Sequence, residues 1–285
     1  MTIASNPPTA LTVQSIAISQ HCVGSRWVSA NIDYLARTIA VIAMGQATHA
    51  AQIIRKMLPA EPAINHDQLR EAAKAQLSIV GSNQAQIKAR RSHRDGLIFE
   101  SISWIAAQQS VTGLALLRDP HLSSTTQGLD GLMIELDASG VAITCATIFE
   151  DKCSEDPREQ FREKIMPAFR MAHHGRKRAP DLVATAASLL EKTGMDGTAA
   201  SKASARVLDK TYRAYRGSLA ITPTDDTIDR YQALFKDYED LDGIDAARRI
   251  GGMLVTADDL RAWFDELANK AVAYIDSLVK GGPNV

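Results

Sequence analysis

"QGLDGLMIELDASGVAITCATIFEDKCS", residues 127–154, alternates apolar runs with a polar turn and ends in charge. Two apolar runs flank Asp137-Ala138-Ser139-Gly140, a hairpin turn with glycine near its end, which predicts two antiparallel strands. The second run is apolar from Val141 to Phe149 and then ends on three charges, Glu150, Asp151 and Lys152. Residues two apart in a strand share a face, so Glu150 and Lys152 point one way and Asp151 the other. A buried lysine beside a carboxylate costs desolvation energy that close pairing or a functional role must offset. The first strand begins at Asp130, and a hairpin of this length brings its open ends together. Asp130 and Glu150 are therefore expected within reach of one another.

Outward from the hairpin, Leu97–Gln108 reads as a helix with Ile98, Ile102 and Ile105 along one face, and "LALLRDP" as a short strand ended by Pro120. Pro157 suits the first residue of a helix running to Met171. Helices are expected at 180–192 and 198–216, together forming a helical insertion at about 180–216. "GSLAIT" and "RRIGGMLVT" read as further strands, Thr224 or Asp225 as the cap of the helix between them, and Thr256 to Asp259 as the start of a last amphipathic helix toward Val279. At the other end, residues 25–57 and 67–79 read as helices, so residues 1–88 are expected as an N-terminal helical region ahead of a domain spanning 89–285. The middle order of helix, strand, hairpin, helix and strand predicts an α/β fold, a mixed sheet flanked by helices, with extra helices at both termini.

The chain has 285 residues, with 32 Lys and Arg against 33 Asp and Glu, for a formal net charge of -1. A protein that holds nucleic acid alone usually carries a clear basic excess, so such binding must come from a local patch or a partner. Three cysteines with no metal-ligand spacing fit a reducing cytosol, Cys145 being expected as a buried strand residue. The N-terminus lacks a basic n-region and a continuous apolar stretch, so neither a signal peptide nor a membrane span is expected, and the location expected is cytoplasmic.

A carboxylate pair is what a hard cation such as Mg²⁺ requires, with waters and a phosphate completing the octahedron. Glu100, on a different helical row from Ile98 and Ile105, is a candidate third ligand. Asp130 followed some twenty residues on by Glu150-x-Lys152, at the ends of two hairpin strands after a Glu-bearing helix, resembles the PD-(D/E)xK nuclease superfamily. The leading proline is replaced here by Leu129. Within that superfamily, "RDGLIFESISW", "QGLDGLMIEL" and "ATIFEDK" resemble the nuclease subunits of the Hachiman anti-phage defence system; the likeness covers about residues 94–171.

The resemblance implies a restriction-endonuclease-like core and a Mg²⁺-dependent nuclease of DNA, Mn²⁺ being able to substitute. It implies Asp130, Glu150 and Glu100 as metal ligands, Lys152 as the residue that orients or activates the attacking water, and a helicase or ATPase partner that delivers the substrate. A stand-alone restriction endonuclease and a catalytically inactive interaction protein of the same fold are the alternatives. An ion pair closing a strand end is the structural alternative for Glu150 and Lys152.

Two basic clusters flank the expected core in connections. Lys88, Arg90, Arg91, His93 and Arg94 form one, and His173, His174, Arg176, Lys177 and Arg178 the other. Arg90, Arg91, Arg94, Arg176, Lys177 and Arg178 are candidate phosphate contacts, long cations that release counterions on binding. His173 and His174 have no third His or Cys at ligand spacing, so no zinc site is expected there. Gln160, one turn into the helix after the Glu-x-Lys strand, is a further candidate. Trp27 and Tyr34 at one end, and Trp263, Phe264 and Tyr274 at the other, serve either core packing or a partner surface.

Overall fold

The fold rests on one seven-stranded mixed sheet; its computed structural model describes residues 8–122, 128–175 and 178–278. Chain order is β1 (Leu11–Ala17), β2 (Val23–Ser29), α1 (Ile32–Ala43), α2 (Ala47–Ile54), α3 (Asp67–Leu77), α4 (Gln84–Ser110), β3 (Ala115–Leu117), β4 (Gly131–Leu136) and β5 (Ile143–Lys152). Next come α5 (Pro157–Gln160), a π turn over Phe161–Ile165, α6 (Met166–His174), α7 (Ala179–Glu191), α8 (Gly197–Ser204), β6 (Arg213–Ile221), α9 (Ile228–Leu234), β7 (Arg249–Val255) and α10 (Leu260–Ser277). Across the sheet the order is β1-β2-β7-β6-β5-β4-β3. The inner pairs β2–β7, β7–β6 and β6–β5 are parallel, and the outer pairs β1–β2, β5–β4 and β4–β3 antiparallel. Helices cover both faces: side chains of α1, α2, α4 and α10 build one core, those of α6, α7 and α9 the other.

The predicted hairpin forms. Asp137 Oδ1 accepts from Ser139 Oγ at 2.8 Å and from the Val141 amide at 3.1 Å, and Gly140 takes the positive φ of 73° that closes the turn. Pairing runs from Gly131 opposite Phe149 to Leu136 opposite Ile143, with a bulge after Glu135. Phe149 packs so closely on Gly131 that a Cβ there would sit 2.7 Å from its ring. Pro157 does open a helix, whose N-terminus is capped by Asp156.

Three readings need correction. The first 88 residues are not a helical region: β1 and β2 form a hairpin that joins the common sheet through β7, and the expected helix over 25–57 is a strand followed by two helices. Trp27 fits a helical row counted back from Leu35 but alternates inward on β2, where it is 1 % exposed. The basic stretch before Gly96 is no connection but the first half of α4, started by Asn83, whose side chain accepts from the Gln86 amide. The helix expected over 198–216 stops at Ser204; two short 3-10 turns follow, and β6 begins at Arg213.

Smaller differences have local causes. A 3-10 turn at Pro223–Asp225 consumes the expected caps, and Thr227 caps α9 instead. Cys145 is half-buried, and all three cysteines are free. The aromatic residues considered for a partner surface are largely core. Trp27 and Phe264 are fully buried, while Tyr34 and Tyr274 donate to the Ile53 and Ala60 carbonyls. Among the described residues no helix is long and apolar enough to cross a membrane.

Candidate metal and phosphate site

The hairpin register carries Asp130 opposite Glu150, at the end of the sheet where β4 begins and β5 stops. Lys152, two residues past Glu150, closes the gap. Its Nζ donates to Asp130 Oδ2 at 2.6 Å, to Glu150 Oε2 at 3.4 Å and to the Asp151 carbonyl at 3.0 Å. The Asp151 amide donates to the same Asp130 oxygen at 2.8 Å. Asp130 is thus anchored from the neighbouring strand by one backbone and one side-chain donor.

Glu150 is 5 % exposed. Burial first, and the Asp130 charge second, push its carboxyl well above the usual carboxylate range, against the opposing pull of Lys152 and Arg178. Burial pulls the Lys152 ammonium down, but Asp130 and then Glu150 outweigh it and hold the group above the usual lysine range. The site is a crowded acidic pair that demands positive charge, and Lys152 supplies it. Asp151 alternates with Glu150 along β5 and lies against Ser103 of α4 and Ser218 of β6, and burial raises its carboxyl to about 6 despite Arg216. Arg216 itself is buried with its guanidinium 3.6 Å from the centroid of the Phe149 ring.

A surface depression of about 230 Å³ opens beside this cluster, lined by Gly96, Leu97 and Glu100 of α4 together with His121, Asp130, Asp151 and Lys152. Neither Glu150 nor Gln160 is part of the described lining. Larger hollows of about 770 and 650 Å³ lie elsewhere, the first between α2, the end of α4 and β3, the second where β6 and β7 end. Neither touches the acidic pair.

Glu100 reaches the depression but is already engaged. Its Oε1 accepts from the His121 amide at 2.8 Å and lies 2.9 Å from His121 Nδ1. His121 Nε2 in turn accepts from Arg118 Nη2 at 2.9 Å, which leaves the ring proton on Nδ1, facing Glu100. Arg118 Nη1 also donates to the Leu129 carbonyl at 2.7 Å, one residue before Asp130. One arginine therefore fixes both the loop that presents Asp130 and the histidine that holds Glu100. Sequence reasoning missed both: "RDPH" reads as the polar end of a short strand, and nothing in its spacing marks His121 as a neighbour of Glu100.

The expected phosphate contacts divide. Arg94 is buried and committed, pairing with Asp95 at 2.6 Å and with Asp265, so it is withdrawn as a contact; Arg91 pairs with Asp265 at 3.3 Å. Arg90 is exposed on α4. Arg178 lies near enough to the site to act on Glu150 electrostatically. Arg176 and Lys177 lie outside the described residues.

No family model, curated protein or solved structure matches the chain.

Proposed function

We propose that the protein is a Mg²⁺-dependent nuclease that hydrolyses phosphodiester bonds of DNA, built on a restriction-endonuclease-like core of the PD-(D/E)xK type. The observation that carries this reading is the Lys152 ammonium between Asp130 and Glu150 at the paired ends of two strands, beside a depression that Glu100 also lines. The donors fit the ion: all are carboxylate oxygens, and the buried Glu150 carboxyl is one whose charged form a dication would favour. Asp130 and Glu150 would hold it, with Glu100 as a third ligand once it turns from His121.

When bound, Mg²⁺ supplies a Lewis acid that lowers the pKa of a coordinated water and stabilises charge on the phosphoryl oxygens. Lys152, if released from the carboxylates, would place positive charge near the attacking water and favour hydroxide at neutral pH. Asp151's amide keeps Asp130 in place, and Arg118 holds the loop in front of it. Arg178 and Arg90 supply positive charge for the DNA backbone. With a formal net charge of -1, the chain leaves much of the DNA affinity to another protein, which supports a helicase partner and a role as the effector of a Hachiman-type defence system.

Plasmid cleavage with Mg²⁺, alone and with a helicase partner, tests the reading. Glu150→Gln and Lys152→Ala are each expected to lower the rate by about 10²–10³-fold. Undiminished cleavage by either would refute it, and discrete fragments without a partner would point to a stand-alone restriction endonuclease.

The closeness of the Lys152–Asp130 contact favours one other reading, an inert ion pair in an interaction protein of this fold. Calorimetry separates the two: the nuclease binds Mg²⁺ or Mn²⁺ at the acidic pair, and the inert pair takes up neither.

A further inference from the structure

At the far end of α6, away from the acidic pair, two imidazoles and a carboxylate meet. We propose that His173, His174 and Asp242 form a binding site for a borderline transition-metal dication of the Zn²⁺ or Co²⁺ class, independent of the nuclease reading.

His173 Nε2 lies 3.1 Å and His174 Nε2 3.6 Å from the same carboxylate oxygen, Asp242 Oδ1. One ligand atom from each of the three residues can be chosen so that all lie within 4.8 Å of one another. A tetrahedral ion with bonds of about 2.0–2.1 Å needs ligands roughly 3.4 Å apart. The two measured separations bracket that spacing, so small side-chain adjustments complete the triangle. The Asp242 carbonyl, 3.0 Å from His173 Nε2, or a water can take the fourth position. Two nitrogens and one oxygen suit zinc or cobalt, whereas Mg²⁺ prefers oxygen alone.

The site has the supporting layer such ligands need. The His173 side chain is fully buried, and its Nδ1 lies 3.1 Å from the Tyr215 hydroxyl of β6, itself buried. That hydroxyl can accept as well as donate, so it holds the ring with Nε2 turned to the metal position. His174 and Asp242 are solvent-accessible, at 49 % and 76 % side-chain exposure, and provide the entry path. Binding displaces to solvent the proton that Nε2 shares with Asp242. A search for a third His or Cys near in sequence could not find Asp242, which arrives from the segment after α9.

Among the described residues Lys210 opposes the ion: its Nζ stands 3.4 Å from His174 Nδ1. It must swing into solvent when metal binds, and this gives the proposal a two-sided signature.

The test is titration of EDTA-treated full-length protein with Co²⁺, in excess Mg²⁺ and in a Glu150→Gln background so that the acidic pair does not report. A visible ligand-field band that saturates at one equivalent and is abolished by Zn²⁺ is expected. His174→Ala and Asp242→Ala should each weaken Co²⁺ binding by at least about tenfold, and Lys210→Ala should strengthen it. Both ligand positions are exposed, and circular dichroism verifies that these variants fold. Absence of the band, or a band indifferent to both ligand substitutions, would overturn the proposal.

Discussion

Lys152 and Asp130 are joined at 2.6 Å across the open end of the β4–β5 hairpin, with Glu150 on the other side of the same ammonium. The contact offsets one of the two negative charges that the strand register brings together, and it is where stability and proposed chemistry meet. Removing Lys152 leaves the pair uncompensated. Lys152→Ala should therefore lose about 1–3 kcal/mol of stability, less than a fully buried pair because the lysine is partly exposed. Millimolar Mg²⁺ should raise the midpoint of thermal unfolding more in this variant than in the wild type. An equal response would mean that no cation replaces the ammonium.

Asp95 makes a different kind of prediction. It is fully buried and accepts from Arg94 Nε at 3.0 Å and from Arg261 Nη1 at 2.6 Å, tying α4 to α10. Asp95→Ala leaves Arg94 with Asp265 and Arg261 with Glu155 as remaining partners and should cost about 3 kcal/mol, measured by urea unfolding. A loss within 1 kcal/mol of zero would show that Arg94 and Arg261 find solvent, and would return Arg94 to the candidates for phosphate binding.

The N-terminal hairpin is locked to the sheet by glycine. A Cβ on Gly252 of β7 would lie 2.7 Å from Ser218 Oγ and from the Trp27 ring of β2. Overpacking of this kind costs about 1–3 kcal/mol, so Gly252→Ala should shift the urea midpoint downward. An unchanged midpoint would place the Trp27 ring elsewhere.

Acid sensitivity should show at Asp226. The hydrogen bond from Arg26, 2.8 Å from Nε to Oδ1, holds its carboxyl below the usual aspartate range, with burial opposing. A depressed folded pKa stabilises above the unfolded value, and that contribution is lost as pH falls through the folded one. Wild type should exceed Asp226→Asn by up to about 1 kcal/mol at pH 7, and the two should converge in strong acid. A difference that persists at the acid end would assign it to packing instead of charge.

What the sequence disclosed was local. The turn at Asp137–Gly140, the alternation of β5 and the proline opening α5 are decided within a few residues, and they put Asp130 opposite Glu150. What it concealed depends on distant partners. Trp27 looks helical until β7 pairs with its strand, and Arg94 looks free until Asp265 arrives from α10. His121 and Asp242 acquire neighbours only when the sheet closes. Side chains whose roles are set by residues far along the chain leave no periodic trace.

In the proposed nuclease, Asp130 and Glu150 would share a divalent cation that displaces Lys152. Anomalous diffraction from crystals soaked in Mn²⁺ reads this directly. A peak bound by both carboxylates is expected, with the Lys152 ammonium withdrawn from Asp130. A Lys152 that still bridges the two, with no density between them, would contradict it.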